Sequence, residues 1–349
     1  MSMRRLANPP NPWRSTHVEW LGEPPSAALD VYEERARSIL SENDSPDIGF
    51  RWSLNPYRGC FHACAYCYAR PTHQYLDLGA GTDFERKLVV KINAPDLLRQ
   101  AFLKKSWQGE VLVFSGVTDC YQPLEAHYGI TRRCLQVCRE FRNPVSMITK
   151  GALIRRDVEL LAALAREARL HVCLSIAFVD EDLSRALEPN VPLPRARFDA
   201  LRVLSEAGIP TGVAVAPIIP GVNDHQIAEV LQRAAEAGAT SAFMTLLRLP
   251  AEVKPVFLQR LHEALPLRAK KVEHALLEMR EGKLNQSEFG ARMRGSGERW
   301  QAVTRLFEVS CKRYGLGCYE ERGIGRERGV HDAEGTPFRR PNETRSLFE

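Results

Sequence analysis

Residues 111–149, VLVFSGVTDCYQPLEAHYGITRRCLQVCREFRNPVSMIT, hold a short apolar run (Val111–Phe114), a helical periodicity (Thr131–Phe141) and a second apolar run (Val145–Thr149). Short, continuously apolar runs suit strands buried on both faces, and the spacing between them suits an amphipathic helix. The unit recurs about every 30 residues, with further runs at His171–Phe178, Thr211–Pro217 and Ser241–Leu247. Helical periodicities at Asp157–Ala168, Pro194–Ala207, Asp224–Ala237 and Pro255–Ala264 lie between and after them, and Gly208 and Gly238 stand just past two of the ends. Strand, helix, strand at this repeat implies right-handed crossovers and a parallel sheet. Gly49–Leu54 reads as one more strand upstream, giving about six βα units. Six are too few for the closed eightfold barrel and predict an α/β fold built on an open, partial (β/α)6 TIM-like barrel, with chemistry at the C-terminal ends of the strands.

Directly after that first strand come Asn55-Pro56-Tyr57-Arg58-Gly59 and then Cys60-Phe61-His62-Ala63-Cys64-Ala65-Tyr66-Cys67. Three thiols at C-x3-C-x2-C spacing can be folded back by a short loop onto one centre. A closed structural zinc site takes a fourth protein ligand, whereas a cubane held by three cysteines keeps one iron free. A zinc knuckle completed by His62 or His73, and three unconnected buried thiols, are the alternatives. The second strand ends in Ser115-Gly116-Val117-Thr118-Asp119-Cys120. A glycine and small hydroxyls there let a ligand approach the backbone, and Asp119 could accept from an ammonium group; an ordinary capped turn is the competing reading.

With 349 residues, 44% hydrophobic and 26% charged, the chain can bury a full core. No segment approaches the roughly 18 uninterrupted apolar residues of a membrane span. The opening MSMRRLANPPNPWRS has no apolar stretch of signal-peptide length, so a cytoplasmic location is expected. Nine cysteines, an odd number, argue against a disulfide framework and leave thiols free for metal. A net charge of +5 permits phosphate contact without requiring it.

The cysteine spacing, with Tyr66 just before the last thiol, resembles the signature loop of the radical S-adenosylmethionine (SAM) superfamily. The Asn-Pro-Tyr-x-Gly-Cys lead-in, SGVTDCYQPLE, Thr149-Lys150-Gly151, Leu187-Glu188-Pro189 and APIIPGVND (216–224) resemble its spore photoproduct lyase-like branch, over roughly Asn55 to Tyr314. The resemblance implies a 4Fe–4S cluster on Cys60, Cys64 and Cys67 whose free iron chelates S-adenosyl-L-methionine. It implies that Tyr66, Ser115, Gly116, Thr118 and Asp119 line the cofactor, that Lys150 reaches its carboxylate and that Ser175 touches its ribose or carboxylate. Here Ser-Gly-Val-Thr-Asp replaces the usual Gly-Gly-Glu-type motif, and Asn190 follows Glu188-Pro189 where relatives often carry Arg, leaving Arg195 and Arg197 as the nearest cations. Cys120 stands near where the lyase's hydrogen-donating cysteine aligns. The implied activity is reductive cleavage of SAM to a 5′-deoxyadenosyl radical that abstracts hydrogen from a substrate, with a cytoplasmic electron donor, no membrane partner and a monomeric enzyme. A DNA lesion is the branch's substrate; a tRNA, peptide or small metabolite is the alternative, and a zinc-bound nucleic-acid-binding module is a reading from another class.

Around the barrel, assigned to residues 47–265, the sequence predicts an N-terminal extension over 1–46 with a helix at Ala27–Leu40. Within the barrel region it predicts a helix over Tyr68–Leu78, a strand at Lys87–Ile92 and a helix at Asp96–Lys105. Residues 266–319 read as helices closing the open side, at Lys271–Gly282 and Glu298–Tyr314, the latter with Trp300, Val303, Leu306, Phe307 and Val309 on one broad face. Residues 320–349 read as an arginine-rich tail, solvated or loosely docked.

Overall fold

A computed structural model describes residues 28–318 and 335–341. It opens with β1 (Asp30–Glu34), β2 (Leu40–Glu42), β3 (Trp52–Leu54) and β4 (Tyr57–Arg58), then a 3-10 segment at Arg70–Leu76, α1 (Thr82–Arg86), β5 (Lys87–Lys91) and α2 (Ala94–Leu103). The regular alternation follows: β6 (Leu112–Phe114), α3 (Leu124–Tyr128), α4 (Ile130–Glu140), β7 (Val145–Thr149), α5 (Val158–Ala168), β8 (Leu170–Ser175), α6 (Glu181–Leu187) and α7 (Pro194–Glu206). It continues through β9 (Thr211–Ile218), α8 (Ile227–Glu236), β10 (Ser241–Leu246) and α9 (Val253–Ala264), and ends with α10 (Pro266–Met279), α11 (Gly297–Tyr314) and β11 (Gly317–Cys318).

Strands β3, β6, β7, β8, β9 and β10 pair in that order, all parallel, so the six expected βα units form the barrel sheet. β2 adds antiparallel to β3 at one edge and two-residue β11 adds parallel to β10 at the other. Continuous apolar strands are covered on both faces, and Phe114, Met147, Leu174, Val213 and Val215 are fully buried. Each such side chain contributes about 1.5–3 kcal/mol of burial. The surrounding helices turn one stripe inward: α8 buries Ile227, Val230, Leu231 and Ala234, at i, i+3, i+4 and i+7.

Several expectations change. Ala27–Leu40 is no helix over its described part: β1 pairs parallel with β5 and β2 pairs with β3, so ladder partners override a helical-looking pattern. The strand at Lys87–Ile92 exists, but as β5 it joins β1 and β4 in a separate three-stranded sheet beside the barrel. Tyr68–Leu78 shrinks to the 3-10 segment, with Pro71 in its first turn and Asp77 left-handed at its end. On α11 the buried stripe is narrower than expected: Val303 and Phe307 are covered together with Ser310 and Cys311, whereas Leu306 and Val309 are exposed. Helix α6 went unread; the Asp180 carboxylate accepts from the backbone N–H groups of Asp182 and Leu183 and caps it.

Residues 1–27 of the extension and most of the arginine-rich tail lie outside the described residues. The described tail segment, 335–341, is docked. Phe338 stacks on Phe141 and meets Phe102 edge-on. Arg339 donates its N–H to the Phe141 carbonyl, Arg340 Nη2 reaches the carbonyls of Lys104 and Trp107, and Arg169 Nη2 reaches that of Gly335. These partners precede β6, β7 and β8, so the segment straps the floor of the barrel, opposite the strand ends where chemistry is expected.

Candidate cofactor and radical site

The cysteine loop leaves β4 through Gly59, whose φ of +71° and tight packing against Leu88 and the Phe84 carbonyl admit no side chain. Two short turns, Ala63 N–H to Cys60 O and Cys67 N–H to Cys64 O, fold the loop back, with Ala63 left-handed. Its backbone is then pinned from three sides. Fully buried Arg70 donates to the carbonyls of Cys64 (2.8 Å), Ala63 (3.4 Å), Ala80 (3.0 Å) and Gly81 (3.1 Å), and pairs with Glu85 at 2.5 Å. From the loop after β6, Gln122 accepts from Phe61 N–H and donates to the Gly59 carbonyl, and Thr118 donates to the same carbonyl at 2.7 Å. From the loop after β8, Asn190 donates to the Phe61 carbonyl at 2.7 Å, and the Leu187 carbonyl accepts from Ala65 N–H. Asn190, the departure from the branch's arginine, thus serves as a clamp on this loop. The sequence gives no sign of Arg70, and it marks Asn55, Gln122 and Glu188 as motif residues without a role.

Cys60 and Cys64 are buried, Cys67 is partly buried, and all three are free thiols. Burial pushes Cys64 and Cys67 up, Cys67 to about 11, and each is raised further by the neighbouring thiols. A group that takes them as thiolates must bring positive charge, as an iron centre does. His62 Nε2, buried on the same loop, is left without a partner, while His62 Nδ1 faces Asp119 at 3.4 Å. His73 Nε2 meets the Lys87 carbonyl at 2.8 Å and its ring lies edge-on to Phe84. Among the described residues no three His, Cys, Asp or Glu side chains close on a point for a single metal ion. His73 is turned to the Lys87 carbonyl and His62 to Asp119 and Cys60, each with one ring nitrogen unpartnered; three free thiols on one loop fit a cluster that supplies its own positive charge.

The other expected residues fall into two groups. Lys150, Ser175 and Tyr66 come together: Lys150 Nζ donates to Ser175 Oγ at 2.6 Å, lies 5.6 Å from the Tyr66 ring centroid and 3.9 Å from Glu188. Glu188 accepts from the Tyr66 hydroxyl, from Ser184 and, at 2.6 Å, from fully buried Arg197, which also holds the Ser175 carbonyl. Burial opposes the Glu188 charge, but Arg197 and Lys150 outweigh it and hold the carboxyl below its ordinary range. Arg195, by contrast, is exposed and pairs with Glu181.

The second group surrounds the end of β6. Asn55 accepts from the N–H groups of Gly116 and Val117, Ser115 is left-handed at φ +81°, and its Oγ accepts from Cys120 N–H. Asp119 accepts from Thr149 Oγ1 (2.6 Å), Lys150 N–H (2.7 Å) and Tyr121 N–H (2.8 Å) and faces His62. Burial would raise it, but His62 and these donors hold it down at about 2. Asp119 thus spends its oxygens on tying strand ends β6 and β7 to the cysteine loop. Cys120 is 0% exposed, behind Ser115.

A parallel partial barrel with uncommitted thiols at its mouth and a lysine–serine pair on the next strand ends defines an enzyme that works through a bound cofactor. The profile of the Radical SAM superfamily matches residues 54–234. An uncharacterized protein of Mycobacterium tuberculosis is 35% identical over 241 residues, covering 68% of this chain and 71% of its own. A "Radical SAM Nalpha-GlyT isomerase" of Pseudomonas phage M6 is 22% identical, covering 66% of this chain and 47% of its own. Among solved structures, spore photoproduct lyase complexed with dinucleoside spore photoproduct superposes with a TM-score of 0.62 at 16% identity, covering 82% of this chain and 81% of that one. The chain belongs to the radical SAM superfamily and is a radical SAM enzyme with the fold of spore photoproduct lyase. No helix among the described residues is long and apolar enough to cross a membrane.

Proposed function

We propose that Cys60, Cys64 and Cys67 hold a 4Fe–4S cluster and that SAM lies between it and the ends of β6, β7 and β8. Held there and reduced by one electron, such a group would supply the reductive cleavage of SAM to methionine and a 5′-deoxyadenosyl radical, the species that would take hydrogen from the substrate. The chain's own part is placement. Arg70, Gln122 and Asn190 fix the thiol loop, and Lys150, oriented by Ser175 and Glu188, presents an ammonium to the SAM carboxylate. Ser115 and Gly116 offer backbone that a ligand can approach closely. The observation that carries this reading is the juxtaposition of three uncommitted thiols with the Lys150–Ser175–Tyr66–Glu188 cluster.

For the substrate we favour a nucleoside within a nucleic-acid strand, a DNA lesion among them. The lyase fold, solved with a dinucleoside spore photoproduct, supports it; a tRNA nucleoside falls within the same reading, and a peptide or small metabolite is the competing one. Cys120 is the candidate hydrogen donor back to a product radical. Purified without oxygen, the enzyme is expected to be brown, to carry about four irons and to release 5′-deoxyadenosine when reduced with SAM. Colourless, zinc-loaded protein would sink the proposal.

A further inference from the structure

At the mouth beside β10 three guanidinium groups cluster near one carboxylate, Asp47, which is bonded to only one of them. Arg248 follows the strand directly. Arg280, only 4% exposed at the end of α10, donates from Nη2 to the carbonyls of Leu247 (2.7 Å) and Arg292 (3.3 Å). Its Nε and Nη1 have no partner, and neither has Arg248 Nε. Arg292 pairs with Asp47 at 2.7 and 2.5 Å, and Asp47 is the one carboxylate bonded to any of the three among the described residues. Arginine stays charged in proteins, so Arg280 is a buried cation with no acid beside it, and half-buried Arg248 has within reach only Asp47, which is already bonded to Arg292; such an arrangement is costly unless an anion binds. Burial, and then Arg248, press Arg280 down to about 10, as expected for a cation held next to another with no acid beside it.

Two exposed rings flank the cluster. Tyr68, next to Cys67 in the chain, is 53% exposed, with its hydroxyl on the Gly116 carbonyl. Phe289 is 59% exposed and carries the Arg292 guanidinium 4.6 Å from its ring centroid. Arginine donors beside exposed aromatic rings are the elements with which proteins hold a phosphate and stack unpaired bases.

We propose that Arg248, Arg280 and Arg292 bind a phosphate of a nucleic-acid strand, with Tyr68 and Phe289 stacking bases on either side so that a nucleotide is delivered to the barrel mouth. The proposal rests on the nucleic-acid reading of the substrate above and names the site that would hold it. One local cluster also accords with a net charge of only +5.

The test is binding of a short fluorescein-labelled single-stranded oligodeoxynucleotide to the cluster-reconstituted enzyme, followed by anisotropy across a salt series. Arg248→Gln and Arg280→Gln are each expected to weaken binding roughly tenfold and to flatten the salt dependence by about one phosphate contact. Phe289→Ala should weaken binding by about tenfold without changing that slope. Arg248→Gln, at a half-buried position, keeps the test usable if the buried Arg280 variant fails to fold. The same sequence run as RNA identifies which strand is held; tighter binding of either supports the site. Wild-type affinity and slope in folded Arg248→Gln would overturn the proposal. So would a free mononucleotide binding as tightly as the strand, or loss of SAM binding in the same variants, which would assign the arginines to the cofactor. 5′-deoxyadenosine release separates the two readings: its absence in wild type, with arginine-dependent strand binding intact, would fail the radical reading alone.

Discussion

Arg70 devotes its buried guanidinium to holding the thiol loop and its flank in shape, with Glu85 as its counter-ion. Removing it as Arg70→Met would strand Glu85 with Arg260, 3.2 Å away, and free four backbone carbonyls. Breaking one partner of a buried pair costs about 3–5 kcal/mol. We expect a lower Tm and sub-stoichiometric iron after reconstitution, neither restored by Arg70→Lys, because an ammonium cannot reproduce the planar fork. A wild-type Tm in Arg70→Met would refute this role. Lys150→Met is expected to weaken SAM binding roughly tenfold while iron content stays at the wild-type level; equilibrium dialysis against SAM and an iron assay read the two separately. For Cys120→Ala, undiminished product yield with no stalled-radical by-products would remove the thiol from the reaction. The thiols were legible because their spacing is local. Lys150 and Ser175 were found by resemblance and do meet. Arg70 and Gln122 were not legible, since most of their partners are backbone groups, which leave no mark in residue type, and Asp119 was read for the cofactor, with no sign in the sequence that it ties strand ends together.

Among the elements, the barrel strands were readable because burial on both faces writes an unbroken apolar run. β1 was not, because its sequence DVYEE becomes a strand only through pairing with distant β5. That pair sets Lys91 opposite Glu34, with Lys91 just 9% exposed. Burial, and then Arg58, press its ammonium down to about 8, and Glu34 restores only part. The folded value lies below the unfolded value of about 10.5. Between about pH 8 and 10.5 the unfolded chain keeps a proton that the folded chain has released, so this group adds stability as pH rises through that window and costs stability below it. Lys91→Met should therefore raise Tm at pH 7, and its advantage over wild type should narrow above about pH 8. A constant advantage across a Tm-versus-pH series would show that the lysine is not the cause.

On the scale of the whole molecule, the open sheet is finished at both ends by different means. At the mouth, the loop between α10 and α11 is clasped to Asp47 by Arg292 and Gly290. At the floor, Phe338 sits so close to Gly109 that a β-carbon there would come within 2.3 Å of it. The tail held no periodicity, so nothing in its sequence distinguished this strap from a solvated segment; only the aromatic pocket of Phe102 and Phe141 gives Phe338 its meaning. Phe338→Ala is expected to cost about 1–2 kcal/mol, since the ring is half-buried, seen as a lower Tm with SAM binding unchanged.

The strap also sets an order of events during biosynthesis. Residues 335–341 emerge from the ribosome after all six barrel strands, so the nascent barrel can pair its sheet while Phe102 and Phe141 still lack their cover. A chain stalled in that interval would display a sticky aromatic patch on the barrel floor to chaperones and proteases.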